Sequence, residues 1–490
     1  MSIKDLEPKI VWNYFHDITQ IPRPSKKEEK IIAYLLDFAK EHNLEAKKDK
    51  AGNVLITKPA TPGKENAQTV ILQSHVDMVC EKNSDVTHDF DNDPIETIIE
   101  GDWVRANGTT LGADNGIGVA AQLAVLASTD IAHGKIEALF TVDEETGLTG
   151  ANSLQPDFFT GNILLNLDTE EEGEIYISCA GGKGTKAYFK YKEKDAPKKY
   201  FWFKIQVKGL RGGHSGSDIE KGLGNANKIL NRFLHSLMRK KYGMVLSEIG
   251  GGNLHNAIAR EAYAVVGVKE KYKEDIRVKL NVFLANLQNE YKKTDPNLEI
   301  LLESVQMPSK IINKGVAEKL LQAIYACPHG VIGMSFDIDG LVETSTNLAS
   351  VKMLENHTIE VGTSQRSSVE SRKNDIVNMV STVFDLAGAK KIVNNEGYPG
   401  WEPNPNSEIL KLAKSEYKKL YNKNAKVKAI HAGLECGLFL EKYPHLDMIS
   451  IGPDMTDVHS PDEKVKISSV KKWWDYFVQI LENIPEQVVE

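Results

Sequence analysis

At 490 residues, with 41% hydrophobic and 26% charged side chains, the chain has the balance of a soluble globular protein and exceeds what one hydrophobic core usually covers, so two domains are expected. A net charge of −8 leaves no basic footprint for nucleic acid or anionic lipid, and no apolar run approaches the length of a membrane span. The first residues lack the basic start and apolar centre of a signal peptide. Cys80, Cys179, Cys327 and Cys436 are far apart with no CxxC pair, and from these features a reducing, cytoplasmic setting is expected.

Leu6, Ile10, Tyr14, Phe15 and Ile18 recur at helical spacing. After a Pro-rich break, Ser25 and Glu28 read as a capping box for a second helix carrying Ile31, Leu35 and Phe38. Two short strands, 45–48 and 53–57, precede the apolar run 69–72, which predicts a buried strand leading into Gln73, Ser74, His75, Val76 and Asp77. Side chains two apart on an extended chain share a face, so His75 and Asp77 project together where the strand leaves the sheet. That is the pattern of a metal-ligating imidazole with a carboxylate behind or beside it.

Residues 84–93 read as an acidic, solvated loop. The stretch GTTLGADNGIG (108–118) then opens an Ala-rich helix. Its spacing is not that of a dinucleotide fingerprint, and Asp114 amid glycines is better suited to holding a cation. Further strands are expected at 136–142, ended by Asp143, Glu144 and Glu145, and at 162–167, ended by Asp168. The following Glu170, Glu171 and Glu172 read as a solvated turn. Strands separated by helices imply a largely parallel sheet, whose sites gather at the carboxyl ends of the strands.

From about Lys183 the pattern changes to alternating strands and helices. A strand at 200–209 is followed by RGGHSG (211–216), a helix through Leu237, and strand-like runs at 262–266, 277–283 and 347–354. A Pro/Gly/Asn-dense stretch, 394–406, marks a return linker. After it come a helix at 409–421, strands at 426–431 and 445–451, the loop DVHSPDE (457–463) and a last helix at 468–484. The fold class read from this order is α/β: an αβα sandwich with a mostly parallel mixed sheet, formed by 1–186 and 398–490, and an inserted α+β domain at 187–397.

His75, Asp77, Asp114, Glu144, Glu145, Asp168 and His459 all fall at strand ends or in loops. Singly, each is ordinary: an acidic turn is usually solvated, and a lone loop histidine is usually satisfied. Jointly, two imidazoles with several carboxylates form the ligand set of a pair of divalent ions such as zinc. A bridging carboxylate is then needed for the pair, and a spare one for the proton of an activated water.

HVDMV, GTTLGADNGIG, DEETGLTGA, NLDTEEEG, RGGHSG, HAGLECG (431–437) and DVHSPDE, in this order, resemble the aminoacyl-histidine dipeptidases, within the dinuclear zinc peptidases that include carboxypeptidase G-type enzymes and aminoacylases. The resemblance covers essentially the whole chain. It implies a cytosolic, homodimeric metallo-dipeptidase cutting Xaa-His dipeptides, with two zinc ions per chain and cobalt or manganese as substitutes. His75 and Asp168 would bind one zinc, Glu145 and His459 the other, and Asp114 would bridge them through a loop with a cis Asp114–Asn115 bond. Glu144 would be the general base, with Asp77 orienting His75. His214, Asn256 and Arg366, on an inserted lid domain, would contact substrate, with Glu435 meeting its free amino group. An N-acyl amino acid deacylase or an aminopeptidase with the same metals, and a non-catalytic metal-stabilised binding protein, are the alternatives.

Overall fold

Val70–His75, Ile136–Thr141 and Ile163–Asn166 are strands buried at every residue, as expected of a sheet covered on both faces. They lie side by side and parallel, and Asp447–Ser450 joins them, parallel to Ile163–Asn166. Antiparallel strands flank this centre: Val54–Lys58 pairs with Ile136–Thr141, Glu45–Lys48 with Val54–Lys58, and Glu174–Cys179 with Asp447–Ser450. The eight-stranded sheet ends at Lys426–Ile430. The structure, a computed structural model, describes residues 2–238, 242–336, 338–404 and 406–487. Among them no helix is long and apolar enough to cross a membrane.

Two units emerge from the contacts: Met1–Ser178 with Trp401–Ala429 and Leu434–Glu490, and Cys179–Gly400 with Ile430–Gly433. In the first, helix Ala113–Ala127 packs against Val70–His75 and against the opening helix Lys9–Thr19. Nearly every residue of Ala113–Ala127 is buried, which its run of Gly, Ala, Val and Leu permits. A separate four-stranded sheet orders Met455–Thr456, Lys464–Lys466, Trp103–Ala106 and Thr97–Glu100.

The second unit is an antiparallel sheet of nine strands with helices Ala226–Met238, Lys273–Glu290, Lys314–Ala326 and Glu370–Leu386. Its core joins Phe203, Phe233, Leu320 and Phe384 in one buried cluster. The whole is α/β, a mixed, centrally parallel sheet with an inserted α+β unit. A cut after 186 falls inside Gly181–Lys190, a strand that pairs along its length with Thr358–Ser367 of the second unit.

Two sequence expectations fail. The run 277–283 alternates like a strand but lies within helix Lys273–Glu290, which buries Ile276, Leu280 and Leu287 and leaves Val278 and Val282 exposed. Its alternation is a coincidence of a helix whose buried stripe is narrow. The Ser25/Glu28 capping box is also absent. The helix starts at Glu29 without a side-chain cap, because Ser25 donates to Asp77 Oδ2 (2.7 Å) and Glu28 Oε1 accepts from the Lys26 and Asp143 amides (2.8 and 3.0 Å). Of the expected linker 394–406, residue 405 lies outside the described residues.

Candidate active site

The carboxyl edge of the large sheet assembles the site. His75 is the last residue of its strand, Glu144 and Glu145 follow Ile136–Thr141, and Asp168 follows Ile163–Asn166. Asp114 stands at the start of helix Ala113–Ala127, and the Asp114–Asn115 bond is cis. Asn115 donates to the Leu167 carbonyl (2.6 Å), tying this loop to the one carrying Asp168. His459 comes from the turn between Met455–Thr456 and Lys464–Lys466.

One carboxylate stands between the two imidazoles. Asp114 Oδ1 is 3.1 Å from His75 Nε2, and Asp114 Oδ2 is 3.2 Å from His459 Nε2. Each imidazole has a further acid: Asp168 Oδ1 at 3.4 Å from His75 Nε2, and Glu145 Oε2 at 2.9 Å from His459 Nε2. Glu145 Oε1 and Asp168 Oδ1 are buried without a hydrogen-bond partner. Ligand atoms of His75, Asp114 and Glu145 lie within 4.8 Å of one another. Buried carboxylate oxygens left without a partner beside two imidazoles fit a borderline divalent cation.

Behind this set lies a scaffold of carboxylates that are already engaged. Asp77 Oδ1 lies 3.3 Å from His75 Nδ1 and accepts from the Glu144 amide (3.0 Å), while Oδ2 accepts from the Glu145 amide (3.2 Å). Asp143, held at φ +50°, accepts from the Thr146 and Thr149 hydroxyls. Glu28, Asp77 and Asp143 cluster closely enough to suggest a second cation site, but their oxygens take backbone N–H and hydroxyl donors, which marks them as supports of the Glu144 loop.

Burial opposes charge on His75, yet Asp168, Asp114 and Asp77 outweigh it and hold the imidazole well above its usual range. Hydrogen bonds to Asp114 and Glu145 push His459 up to about 11. Burial raises Asp168 to about 7 and Glu435 to about 8, and lifts Glu144 well above an ordinary carboxylate. Glu170 is also pushed up to about 8, by burial and then by Asp114 and Asp168, and its side chain is partly buried, so it is less solvated than its place in an acidic turn suggests. Glu172 is engaged as well, accepting from the Tyr417 hydroxyl (2.9 Å) and pairing with Lys472, while Glu171 between them is exposed.

A pH dependence follows for the metal-free protein. His459 is raised, so its pairing stabilises fully below the ordinary histidine value of 6.5 and is lost as pH rises toward about 11. At pH 7 the His459 imidazole is therefore protonated in the metal-free protein, and a divalent cation must displace that proton. Zinc titration calorimetry at pH 7 in two buffers of different ionisation enthalpy should give different heats, corresponding to at least about one proton released per chain. Buffer-independent heats would contradict the assignment.

Within the second unit, Arg366 is buried on strand Thr358–Ser367, donates to the Tyr398 hydroxyl (2.7 Å) and places Nη2 3.4 Å from His214 Nε2. His214 forms an isolated bridge with Ala257, beside Asn256, whose carbonyl accepts from the Ser215 amide (2.8 Å). His431 Nε2 is 2.7 Å from Ser345 Oγ, and burial, with Arg366 nearby, holds its imidazole down at about 3. A Cβ at Gly216 would strike the His431 carbonyl, which gives the last glycine of RGGHSG its reason. Sequence reasoning gave no role to Tyr398, in a Pro/Gly/Asn-dense stretch with no periodic signal, and met His431 only as the first residue of HAGLECG. In the first unit, Glu435 is wholly buried. Its Oε2 accepts from Gln73 (2.6 Å) and Thr141 (2.8 Å), and its Oε1 has no partner.

A family model for peptidase family M20/M25/M40 matches residues 71–483. The cytosol non-specific dipeptidase of Escherichia coli (strain K12) is 43% identical over 484 residues, 99% of each chain. The crystal structure of aminoacylhistidine dipeptidase from Vibrio alginolyticus superposes with a TM-score of 0.91 at 43% identity, covering 100% of this chain and 99% of that one. The aminopeptidase PepT of Bacillus cereus shares the fold, with a TM-score of 0.62 at 18% identity over 98% of this chain and 99% of its own. With the motifs in order, the site at the sheet edge and likeness along its whole length, the chain belongs to peptidase family M20/M25/M40.

Proposed function

We propose that this peptidase is a dinuclear zinc dipeptidase that hydrolyses dipeptides, Xaa-His foremost, with Glu144 as general base. The observation that carries the reading is Asp114, whose two oxygens separately face His75 and His459 while each imidazole keeps an acid of its own. His75 and Asp168 would hold one zinc and His459 and Glu145 the other, with Asp114 available to both. When bound, zinc (or cobalt or manganese in its place) supplies Lewis-acid charge that polarises a carbonyl and brings the pKa of water toward ~7.

The chain's own residues do the rest. Asp77 holds His75 through Nδ1 and fixes the Glu144 and Glu145 amides, so base and ligand share one support. Glu144, lifted by burial, takes a proton from the attacking water near neutral pH and hands it to the leaving nitrogen. On the second unit, Arg366 with His214 and Asn256 would take polar ends of a substrate, Arg366 its carboxylate. On the first, Glu435, whose Oε1 has no partner, is the acid assigned to a free amino group.

A substrate panel tests the reading. Xaa-His dipeptides should be cut fastest, then other dipeptides, then tripeptides, with N-acetyl amino acids inert. Faster cleavage of N-acetyl amino acids or of longer peptides would favour the deacylase or aminopeptidase reading instead. Arg366→Lys keeps the charge but loses the planar fork, and should raise KM about tenfold with kcat within about threefold; unchanged KM would remove Arg366 from substrate binding. The reading also carries a cytoplasmic location, in keeping with the name of the Escherichia coli relative, and a homodimer, which rests on the motif resemblance alone.

A further inference from the structure

Glu463 is buried in the first unit, 2% exposed, at the end of the turn that carries His459. Its two oxygens accept four consecutive amides of the Asp114 loop. Oε2 takes Leu111 N–H (2.8 Å) and Gly112 N–H (3.0 Å), and Oε1 takes Ala113 N–H (2.8 Å) and Asp114 N–H (3.3 Å). The same loop is gripped from the other side by Arg23, also 2% exposed, which donates to the Gly112 carbonyl and to the Val76 and Asp77 carbonyls (both 2.8 Å) just past His75. Gly112, at φ +67°, is where this grip needs glycine: a Cβ there would strike the Arg23 guanidinium and the Met78 sulfur.

We infer that Glu463 and Arg23 are positioning residues that set the spacing of the three metal-binding loops. Arg23 locks the His75 exit to the Asp114 loop, and Glu463 locks the Asp114 loop to the His459 turn. This rests on the two-metal reading above. Its basis is geometric: the loop amides point at one carboxylate and a loop carbonyl at one guanidinium, so the loop's dipoles are matched at both poles by buried, fixed charges. Neither residue touches the metal pair itself. Their effect is to bring Asp114 between two imidazoles that belong to segments far apart in the chain.

The test compares Glu463→Gln with Glu137→Gln. The first substitution would turn a side-chain NH2 donor toward two of the four loop amides. Glu137 is a control: it is buried and accepts the Thr160 and Gly161 amides (2.7 and 2.9 Å) at the opposite end of the sheet. Zn2+ affinity of the metal-stripped full-length proteins is read by chelator-dye competition, with amide exchange of 111–114 followed in parallel. E463Q is expected to weaken Zn2+ binding about 10- to 100-fold and to speed exchange at 111–114, while E137Q leaves affinity within about twofold. Equal weakening in both variants, or in neither, overturns the inference. If the unaltered protein takes up no Zn2+, the metal reading falls on its own account. Exchange at 111–114 then decides the clamp, faster in E463Q supporting it and unchanged overturning it. Should E463Q not fold, Glu463→Asp, one methylene shorter, replaces it, with a smaller loss of affinity expected and an unchanged affinity overturning the inference.

Discussion

Replacing Glu144 by Gln is expected to cut turnover of an Xaa-His dipeptide by about 10²- to 10⁴-fold while the zinc content stays at two per chain. The amide keeps the volume of the acid and its position, because the Glu144 backbone N–H is held by Asp77 whatever the side chain is. It cannot accept the proton of the attacking water. Glu144 is also not among the groups within ion-pair reach of either imidazole, so occupancy should survive. Kinetics on protein of measured zinc content separates the two effects. Near-normal turnover with both sites filled would show that Glu144 is not the base.

Asp114→Asn should be at least as damaging, but through metal content. Among the described residues this carboxylate alone faces both imidazoles, so its loss removes one ligand from each half of the site. Zinc retained after dialysis is expected to fall from two per chain to one or fewer, with activity down at least about 10³-fold, since the ligands left are two separate imidazole–carboxylate pairs. The metal-free variant should also lose the pairing that holds His459 near 11, so its imidazole should titrate closer to 6.5 by NMR. Retention of two zinc ions by Asp114→Asn would remove the bridging role.

Much of this site is legible in the sequence for a physical reason. In a parallel sheet buried on both faces, strands are continuous apolar runs, and the place where a run stops is the carboxyl edge where ligands gather. His75, Glu144, Glu145 and Asp168 each follow such a stop. The small sheet of 97–106 with 455–466 was not legible, since its strands are short and half-exposed, yet it registers the His459 turn beside the Asp114 loop. Ser25 and Glu28 show why local patterns mislead: the spacing of a capping box also serves two groups that turn away to hold Asp77 and the Asp143 amide. Glu463 lies inside a recognisable motif, but its partners are backbone amides 349 to 352 residues away, which carry no side-chain signature.

The chemistry rests on carboxylates kept from pairing off completely. Asp77, Asp143, Glu28 and Glu463 spend their oxygens on amides and hydroxyls, which stiffens the loops, while Glu145 and Asp168 retain buried oxygens with no hydrogen-bond partner. Such oxygens are costly unless a cation completes them. Stability and activity should therefore both follow metal content, and the most direct measurement combines them. Full-length protein is stripped with chelator, then assayed on an Xaa-His dipeptide before and after zinc is restored. The expected result is loss of at least about 10³-fold of activity on stripping and its recovery as zinc approaches two per chain. Hydrolysis that persists in the stripped protein, or that zinc, cobalt and manganese all fail to restore, would contradict a metal-dependent dipeptidase.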